Sequence, residues 1–485
     1  MIEDDDRPTG GNDPTIVDGE RLATGTEAVL RRDALGIVES TLRAVRPERL
    51  LEGVLCRRGE EVIVGDRRYD LSTVEDVYVL GSGKGSVALV EGVLDRLGGT
   101  VTRALAVEKR GGHDGAERTR GDQASTGSEP PEGPASGTDR PELTVLEADH
   151  PVPTAASRAA AAAVLELARE AGPADLVIVP ITGGTSALLA APEGVSLEEL
   201  AATTEALLAA GAPVEELNAV RKHLSRIKGG RLVREIEPAR TVGLIVVDEV
   251  AGEPWGPTVP DPTTYGTATA ALDRHGLADA VPESVADRLA AGVRGELPET
   301  PTRLDADIHN VVLATAATLC SAAADAAAER GYRPLVLSTT IEGESREVGV
   351  VHGGIAREAR ERGRPAEPPC VLVSGGETTV TVTGDGVGGP NQETALGFAR
   401  TVDGLDGVVG AFLDTDGTDG PTDVAGAVVD GSTAGRCREC GLDIPAALEE
   451  NDATSLLEAL GDAVRLDGPS TNLMDLRLVV VDDGR

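Results

Sequence analysis

The sequence has few aromatic side chains for its length. Its 485 residues include one Trp, four Tyr and two Phe, so a folded core must be built from alanine, valine and leucine. Hydrophobic residues still make up 40% of the chain, which excludes a wholly disordered protein. A chain of this length exceeds the usual size of one domain, and we therefore expect two lobes.

Positive charge is also scarce. Asp and Glu number 82 against 45 Lys and Arg, a formal net charge of −37, which argues against a nucleic-acid partner because phosphates would be repelled. An acidic surface poor in lysine favours a halophilic protein, since concentrated salt screens the repulsion between carboxylates; a GC-rich genome would also replace Lys by Arg. In both cases the few lysines present are candidates for specific roles: Lys84, Lys109, Lys222 and Lys228.

The cysteines and the N-terminus bear on location. Five scattered cysteines do not form a disulfide framework, and the single CxxC of Cys437 and Cys440 favours free thiols over a metal site. The acidic start, residues 1–6, is unlike the basic n-region of a signal peptide, and the longest weakly polar stretch, 311–324, is too short to cross a bilayer. We therefore predict a cytoplasmic protein with no membrane contact.

The hydrophobic pattern divides the chain into three parts. Polar, acidic residues 1–27 predict a disordered tail. Residues 28–295 predict a Rossmann-like α/β domain with a parallel sheet, interrupted by a disordered insertion over 113–142 that is rich in Gly, Ser, Pro and Thr. Residues 296–485 predict a smaller α/β domain, with a cleft between the two domains.

The predicted elements alternate between strands and helices. Predicted strands are 77–80, 104–107, 176–179, 244–247, 334–338, 370–374, 378–383, 408–413 and 476–481. Predicted helices are 28–51, 87–97, 155–170 and 308–330.

Five glycine-rich turns follow these strands, at 81–86, 182–186, 374–377, 384–389 and 416–420. At the carboxyl ends of parallel strands, backbone N–H groups and helix N-termini bind anions. One such turn is weak evidence, but five that converge indicate a polyanionic ligand such as a nucleotide. The candidate cofactor-binding residues in these turns are Gly81, Gly83, Gly183, Gly184, Thr185, Ser186, Gly375 and Gly376.

The first turn matches neither common nucleotide motif. A Walker A motif would need Gly at Tyr78 and Ser or Thr at Gly85, and a GxGxxG motif would need Gly at Ser86. The turn does contain Lys84, which can neutralise charge on a phosphoryl group during transfer. The alternative is a surface lysine without a role.

A second cluster of cations lies within residues 216–231 on this otherwise acidic chain. Leu217, Val220, Leu224 and Ile227 recur at helical spacing and predict one buried face, which leaves the cations on the other faces. They either meet an anionic substrate or form a solvated basic helix. The candidate substrate-binding residues are Arg221, Lys222, Lys228 and Arg231.

Acidic residues at strand ends are candidate metal ligands. Asp248 ends the predicted strand 244–247, Glu377 follows a Gly-Gly turn, and Asp416 and Asp419 lie in a third turn that fails the EF-hand pattern. We predict Mg²⁺ held by one or two carboxylates together with phosphate oxygens, with Asp248, Asp416 and Asp419 as the ligands.

Several motifs occur in an order that closely resembles the class II glycerate kinases, the glycerate 2-kinases with a C-terminal MOFRL domain. The resemblance covers residues 28–481. The motifs are DHPVP at 149–153, TGGTSAL at 182–188, NAVRKHLS at 218–225, IKGGR at 227–231, EGESR at 342–346, SGGETTV at 374–380, GTDG at 417–420, AGA at 425–427 and TN at 471–472.

The resemblance implies a MOFRL-type second domain and phosphorylation of the 2-hydroxyl of D-glycerate by ATP with a divalent cation. It further implies that Lys84, Asp248, Glu377 and Asn472 form the catalytic set and that Asn391 belongs to the cofactor site. The expected partners are D-glycerate and ATP, and the expected state is a monomer or a homodimer.

One departure from the family pattern is serious. Pro390 stands where the family's Gly-Gly-Arg-Asn-Gln-Glu has Arg, and proline supplies neither charge nor a fork of donors. Either Arg221 or Arg231 supplies that charge, or the chain is a weak metabolite-binding homologue. A further alternative, an NAD(P)H-dependent hydroxypyruvate reductase, is disfavoured by Ser86 and by the lack of an acidic ribose-binding partner.

Overall fold

The computed structural model describes residues 13–111, 140–246, 256–468 and 472–482. Its strands are β1 Thr15–Ile16, β2 Leu55–Arg58, β3 Glu61–Val64, β4 Arg67–Asp70, β5 Val77–Ser82, β6 Arg103–Lys109, β7 Leu143–Ala148, β8 Leu176–Ile181, β9 Arg240–Val246, β10 Ile308–Ala314, β11 Arg333–Ser338, β12 Cys370–Gly376, β13 Val408–Asp414, β14 Gly426–Asp430, β15 Ala463–Val464, β16 Leu466–Asp467 and β17 Asp475–Val481.

Its α-helices are α1 Gly19–Leu22, α2 Ala28–Ala44, α3 Pro47–Leu50, α4 Ser86–Leu97, α5 Ala155–Glu170, α6 Thr185–Leu188, α7 Leu197–Ala209, α8 Val214–His223, α9 Arg231–Ile236, α10 Tyr265–Arg274, α11 Glu283–Val293, α12 Ala316–Glu329, α13 Ser345–Arg362, α14 Pro390–Thr401, α15 Thr433–Glu439, α16 Ile444–Glu449 and α17 Ala453–Leu460. None of these helices is both long enough and apolar enough to cross a membrane.

The described residues divide into two compact units. The first, here called the parallel-sheet unit, takes the described residues of Leu51–Ile245 and Pro254–Leu313. The second, here called the mixed-sheet unit, takes those of Met1–Leu50, Val246–Glu253 and Ala314–Arg485.

The parallel-sheet unit is built on a six-stranded sheet in the order β10-β9-β8-β5-β6-β7. Strands β5, β6, β7, β8 and β9 pair in parallel, which confirms the predicted parallel sheet. Every residue of β5 and of β8 is buried, as expected for strands with helices on both faces. A second apolar cluster is built mainly from α7, α8, α10 and α11 and includes Tyr265.

The mixed-sheet unit contains a six-stranded sheet in the order β11-β12-β17-β13-β14-β15. Strands β11 and β12 are parallel, while β17 runs antiparallel between β12 and β13. Helices α13 and α14 pack so closely that a Cβ atom at Gly349 would lie 2.0 Å from the carbonyl oxygen of Thr394. Phe398 and Phe412 lie in the apolar core, with ring centroids 5.1 Å apart.

The two units are not the linear segments that the sequence predicts. Residues 13–50 belong to the mixed-sheet unit, where α2 packs on α12 and β13. The buried Arg31 of α2 pairs with Asp430 at 2.6 Å and with Asp462 at 2.8 Å. These partners lie 399 and 431 residues further along the chain, a separation that leaves no local signal in the sequence.

Three local predictions are wrong. Residues 13–27 of the predicted tail include β1 and α1, in which Ile16 and Leu22 are buried. Residues 308–314 of the predicted helix 308–330 form strand β10, since Ile308–Ala314 is rich in β-branched residues and adds an edge to the parallel sheet. The predicted strand 378–383 is a turn region with one isolated bridge, Glu344 to Thr379. The rest of the predicted tail, 1–12, and residues 113–139 of the predicted insertion lie outside the described residues.

Candidate active site

In the parallel-sheet unit, the turn that carries Lys84 is fastened to the turn after β8. The Lys84 N–H donates to the carbonyl oxygen of Gly183 at 2.8 Å, and Thr182 Oγ1 donates to the Lys84 carbonyl oxygen at 2.8 Å. Gly83 has a φ of 120°, and a Cβ atom there would lie 2.1 Å from Thr182 Oγ1. Glycine is therefore required for the two strand-end turns to meet.

A third strand end, after β7, brings His150 to the same place. A Cβ atom on Gly184 would lie 3.3 Å from Lys84 Cγ and 3.2 Å from His150 Cδ2, and Gly184 has a φ of 83°. The glycine thus leaves room for a lysine and a histidine side by side. His150 is not among the residues predicted for the site, although its DHPVP motif was a signal that could have found it.

The N-terminus of α4 is occupied by a carboxylate of the chain itself. The buried Glu108 of β6 accepts N–H groups from Gly85 at 2.9 Å, Val87 at 3.2 Å and Lys109 at 3.1 Å. Burial raises the pKa of Glu108 to about 7, against the lowering effect of these hydrogen bonds. The anion site predicted at this helix start is therefore filled from within, and Gly81 has a packing role, since a Cβ there would lie 2.3 Å from Val90 Cγ2.

A cavity lies within the parallel-sheet unit. It brings together predicted cofactor residues and predicted substrate residues. Its lining residues are Thr185, Ser186, Leu189, Asn218, Lys222, Ile227, Lys228, Gly229, Gly256 and Pro257.

Two of the four lysines of the chain line this cavity. Lys228 is buried, its Nζ donates to the carbonyl oxygen of Leu189 at 2.7 Å, and burial beside Arg221 lowers the pKa of Lys228 to about 7. Lys222 Nζ lies 3.1 Å from Asp261 Oδ1. The buried Oδ1 of Asn218 has no hydrogen-bond partner among the described residues and can accept a bond from a ligand.

Asp261 is a buried site residue that the sequence did not indicate. Burial raises the pKa of Asp261, but Lys222 and the hydrogen bonds from Thr263 outweigh burial, and the pKa lies below its usual value. Asp261 Oδ1 accepts from Thr263 N at 3.0 Å and from Thr263 Oγ1 at 2.7 Å. The carboxylate therefore fixes the position of Lys222.

The other two predicted substrate-binding residues donate hydrogen bonds to backbone carbonyl oxygens. Arg221 is buried and donates to the carbonyl oxygen of Pro151 at 3.0 Å, and burial lowers the pKa of Arg221 to about 10. Arg231 donates to the carbonyl oxygens of Lys222, at 2.7 Å, and of Ser225. Neither guanidinium is among the groups that line the cavity.

In the mixed-sheet unit, the ends of three neighbouring strands carry the remaining candidates. Asp475 begins β17 opposite Gly376 of β12 on one side and Asp414 of β13 on the other. Glu377 follows Gly376 and is exposed. The partly buried Asn472 precedes Leu473, whose N–H donates to Thr415 Oγ1 at 2.9 Å, beside the turn that contains Asp416.

The glycines before Glu377 have packing roles. Gly376 has a φ of 126°, and a Cβ there would lie 2.3 Å from the backbone nitrogen of Ile341. A Cβ at Gly375 would lie 3.0 Å from Cys320 Sγ. Both glycines are buried within the strand, so their predicted contact with a cofactor remains a prediction without support from this geometry.

Asp419 caps a helix rather than facing a ligand. It is 1% exposed, and its carboxylate accepts backbone N–H groups from Asn391 at 3.0 Å and Gln392 at 2.9 Å, at the start of α14. Burial raises the pKa of Asp419 to about 7. The predicted roles of Asp419 as a metal ligand and of the buried Asn391 in cofactor binding do not fit these contacts.

Of the other two predicted metal ligands, the structure describes Asp416. Asp416 Oδ1 accepts from the N–H of Thr418 at 2.8 Å, which is a local turn contact, and Asp248 lies outside the described residues. Among the described residues there is no group of three or more His, Cys, Asp or Glu side chains arranged to hold a metal ion.

Pro390 fits its place in the fold. It is the first residue of α14 after Gly389, a position where proline is favoured because its missing N–H is not needed. The arginine of the EGESR motif, Arg346, lies on α13 and pairs with Glu393 of α14 at 3.1 Å and with Glu344 at 3.2 Å.

Comparisons with known proteins agree with this architecture. Residues 33–290 match the model of a domain of unknown function, DUF4147, and residues 370–475 match the MOFRL family. The chain is 36% identical to a Pyrococcus horikoshii protein named glycerate 2-kinase, over 94% of this chain and 98% of that protein. It is 34% identical to a Thermotoga maritima protein named D-glycerate 2-kinase, over 92% and 97%.

Other relatives carry different names or have solved structures. A shorter match, 41% identical over 70% of this chain and 77% of the relative, is an Agrobacterium vitis protein named putative hydroxypyruvate reductase. The crystal structure of the Thermotoga maritima glycerate kinase superposes with a TM-score of 0.72 at 32% identity, covering 93% of this chain and 99% of that one.

The fold and site are those of a mixed α/β protein that combines a DUF4147 domain with a MOFRL domain. The chain belongs to the class II glycerate kinase family, that of the glycerate 2-kinases.

Proposed function

We propose that this chain transfers the γ-phosphoryl group of ATP to the 2-hydroxyl of D-glycerate, giving 2-phosphoglycerate and ADP. The observation that carries the proposal is identity of 34–36% to named glycerate 2-kinases over nearly the whole length of both chains. The strand-end lysine and the cation-lined cavity supply the chemistry that such a reaction needs.

In the proposed reaction, the 2-hydroxyl oxygen attacks the γ-phosphorus and the bond from the γ-phosphorus to the bridging oxygen of ADP breaks. Lys84 stabilises the negative charge that develops on the transferring group, because its ammonium is positively charged. Hydrogen bonds with Gly183 and Thr182 hold the backbone of its turn. The hydroxyl proton passes to a carboxylate, for which Asp248 is the first candidate. Glu377 and Asn472 complete the catalytic set that the family resemblance implies.

We assign the carboxylate of glycerate to the cavity of the parallel-sheet unit. Lys222 and Lys228 are two of only four lysines on a chain of net charge −37, so their presence in one cavity favours an anionic ligand. Asn218 Oδ1 would accept a hydrogen bond from a glycerate hydroxyl.

Some parts of the proposal go further than family membership. Mg²⁺ on the ATP phosphates would neutralise charge. Asp248 and Asp416 are the carboxylates proposed to hold it, whereas Asp419 accepts the N–H groups at the start of α14. A cytoplasmic location and a monomer or homodimer complete the proposal.

The direct test is an assay of ADP release from ATP with D-glycerate in multimolar KCl, with phosphorus NMR to identify the product. The proposal predicts glycerate-dependent ADP release and 2-phosphoglycerate. Oxidation of NADH with hydroxypyruvate would support the reductase, which the Glu108 carboxylate disfavours by filling the helix start where a dinucleotide pyrophosphate would bind. Binding of ATP without turnover would indicate the weak homologue suggested by Pro390.

A further inference from the structure

We propose that Arg477 and Asp475 are positioning residues that fix the turn carrying Glu377. The proposal rests on the role of Glu377 in the proposed function. Neither Arg477 nor Asp475 was predicted for the site from the sequence, and both are buried, with 0% and 4% of their surface exposed.

The guanidinium of Arg477 contacts both neighbours of Glu377 in the chain. Its Nη1 lies 3.5 Å from the carbonyl oxygen of Gly376, and its Nη2 donates to Thr378 Oγ1 at 3.2 Å. The same Nη2 lies 2.5 Å from Asp475 Oδ2, which holds the guanidinium in place. An exposed carboxylate is thus carried between two buried residues that share one buried cation.

The start of α13 also holds the Glu377 turn. Ser345, at the start of α13, has its Oγ 3.0 Å from Thr378 Oγ1 and donates its N–H to the carbonyl oxygen of Thr379 at 2.9 Å. Gly376 contributes a backbone conformation that other residues rarely adopt. The turn is therefore constrained at each residue around Glu377.

The ion pair extends to the neighbouring strand end. Asn391 Nδ2 donates to Asp475 Oδ1 at 2.6 Å and to Asp419 Oδ1 at 3.1 Å, which links the Glu377 turn to the turn after β13. A buried ion pair is weak evidence for stability, because apolar residues of similar volume pack as well or better. Contacts on both sides of Glu377 instead point to control of its position.

The test is a double-mutant cycle with a local structural measurement. Arg477→Lys keeps the charge but loses the fork. Thr378→Val removes the hydroxyl that both Arg477 and Ser345 contact, and it provides a second variant should the first fail to fold. Each is made alone and with Glu377→Gln. Arg31→Lys is the matched control, because Arg31 is a buried arginine of the same unit that pairs with two aspartates.

If the inference is right, each variant lowers kcat by about 10-fold to 100-fold, with little change in KM, because small displacements of a catalytic group are costly. In the Glu377→Gln background the same substitutions change kcat by less than about twofold, since there is no carboxylate left to position. Amide hydrogen exchange rises in residues 375–381 of the Arg477 and Thr378 variants, whereas Arg31→Lys lowers thermal stability without either effect.

Additive effects in the cycle, or unchanged exchange at 375–381, would overturn the inference. The hydrogen-exchange measurement needs no activity, so it decides on positioning even for an inactive chain. Failure of the full-length wild-type chain to phosphorylate glycerate would instead contradict the proposed function.

Discussion

The Nζ atom of Lys228 lies 2.7 Å from the carbonyl oxygen of Leu189, inside a cavity where burial lowers the pKa of the lysine to about 7. A lysine in this position changes charge close to neutral pH. Both substrate affinity and stability should therefore depend on pH through this residue.

The KM for glycerate is predicted to rise as the pH increases above about 7, because the free protein then loses the positive charge that attracts the carboxylate. Initial rates measured from pH 6 to pH 9 check this dependence. Lys228→Met should raise KM at pH 6 and remove most of the pH dependence. A flat profile in the wild type would contradict the assignment of glycerate to this cavity.

The same lysine is predicted to affect unfolding. Its pKa is about 7 when folded and near 10.5 when unfolded, so between these values the unfolded state binds more protons. The free energy of unfolding should therefore rise with pH in this window, by up to about 1.4 kcal/mol per pH unit. Denaturant titrations of wild type and Lys228→Met at pH 7 and pH 9 measure the difference, which should be absent in the variant.

Glu108 should have the opposite pH dependence at lower pH. Its pKa is raised from 4.5 to about 7, so the folded state holds the proton more tightly and stability falls as the pH rises through this range. Glu108→Gln should remove this fall between pH 5 and pH 7. The variant should also lower kcat, because the turn of Lys84 loses a carboxylate that accepts the N–H groups of Gly85 and Val87. Unfolding titrations over that range measure the first effect, and unchanged slopes would disprove it.

Arg31→Ala is predicted to lower the free energy of unfolding by about 3–5 kcal/mol, because it leaves the buried Asp430 without its cation and leaves the buried Asp462 with Arg436 alone. The matched control is Arg303→Ala, which removes an ion pair with Asp305 whose side chains are 85% and 80% exposed. That control should leave the stability close to that of the wild type. Equal losses in the two variants would contradict the account of residues 13–50 as part of the mixed-sheet unit.

Asp419→Ala distinguishes a helix cap from a metal ligand. As a cap, the variant should lose about 1 kcal/mol of stability and show the same Mg²⁺ dependence of the rate as the wild type. Rescue of its activity by added Mg²⁺ would restore Asp419 to the metal site. Thermal unfolding and a Mg²⁺ titration of the initial rate supply both measurements.

Much of the fold follows from local patterns in the sequence. Helix α5 occupies the predicted residues 155–170, and strands β5, β6, β8 and β12 contain the predicted ones. The error at β10 has a local cause, because the Ala-rich run of α12 follows it directly and extends the helical pattern backwards. The antiparallel position of β17 between β12 and β13 depends on pairing with strands that are distant in the chain, and it has no local signal in the sequence.

The site was predictable where rare residues or motifs mark it. Lys84, Lys222 and Lys228 stand out because lysine is scarce, and the first lies at a strand-end turn while the other two line the cavity. Glu108 could not be distinguished among 82 acidic residues, and Asp419 was predicted as a metal ligand, since what defines both is burial against the N–H groups of a helix start. Arg477 could not be separated from the other arginines, because its burial and its contacts with Gly376, Thr378 and Asp475 leave no local signal in the sequence.

The measurement that tests the central claim most directly is the formation of 2-phosphoglycerate from D-glycerate and ATP by the wild type, Lys84→Ala and Lys109→Ala. Lys109 ends the adjacent strand β6 and is the matched lysine. We predict product from the wild type and from Lys109→Ala, and a loss of about 100-fold or more in kcat for Lys84→Ala with thermal stability retained. Turnover by Lys84→Ala at the wild-type rate would contradict the account.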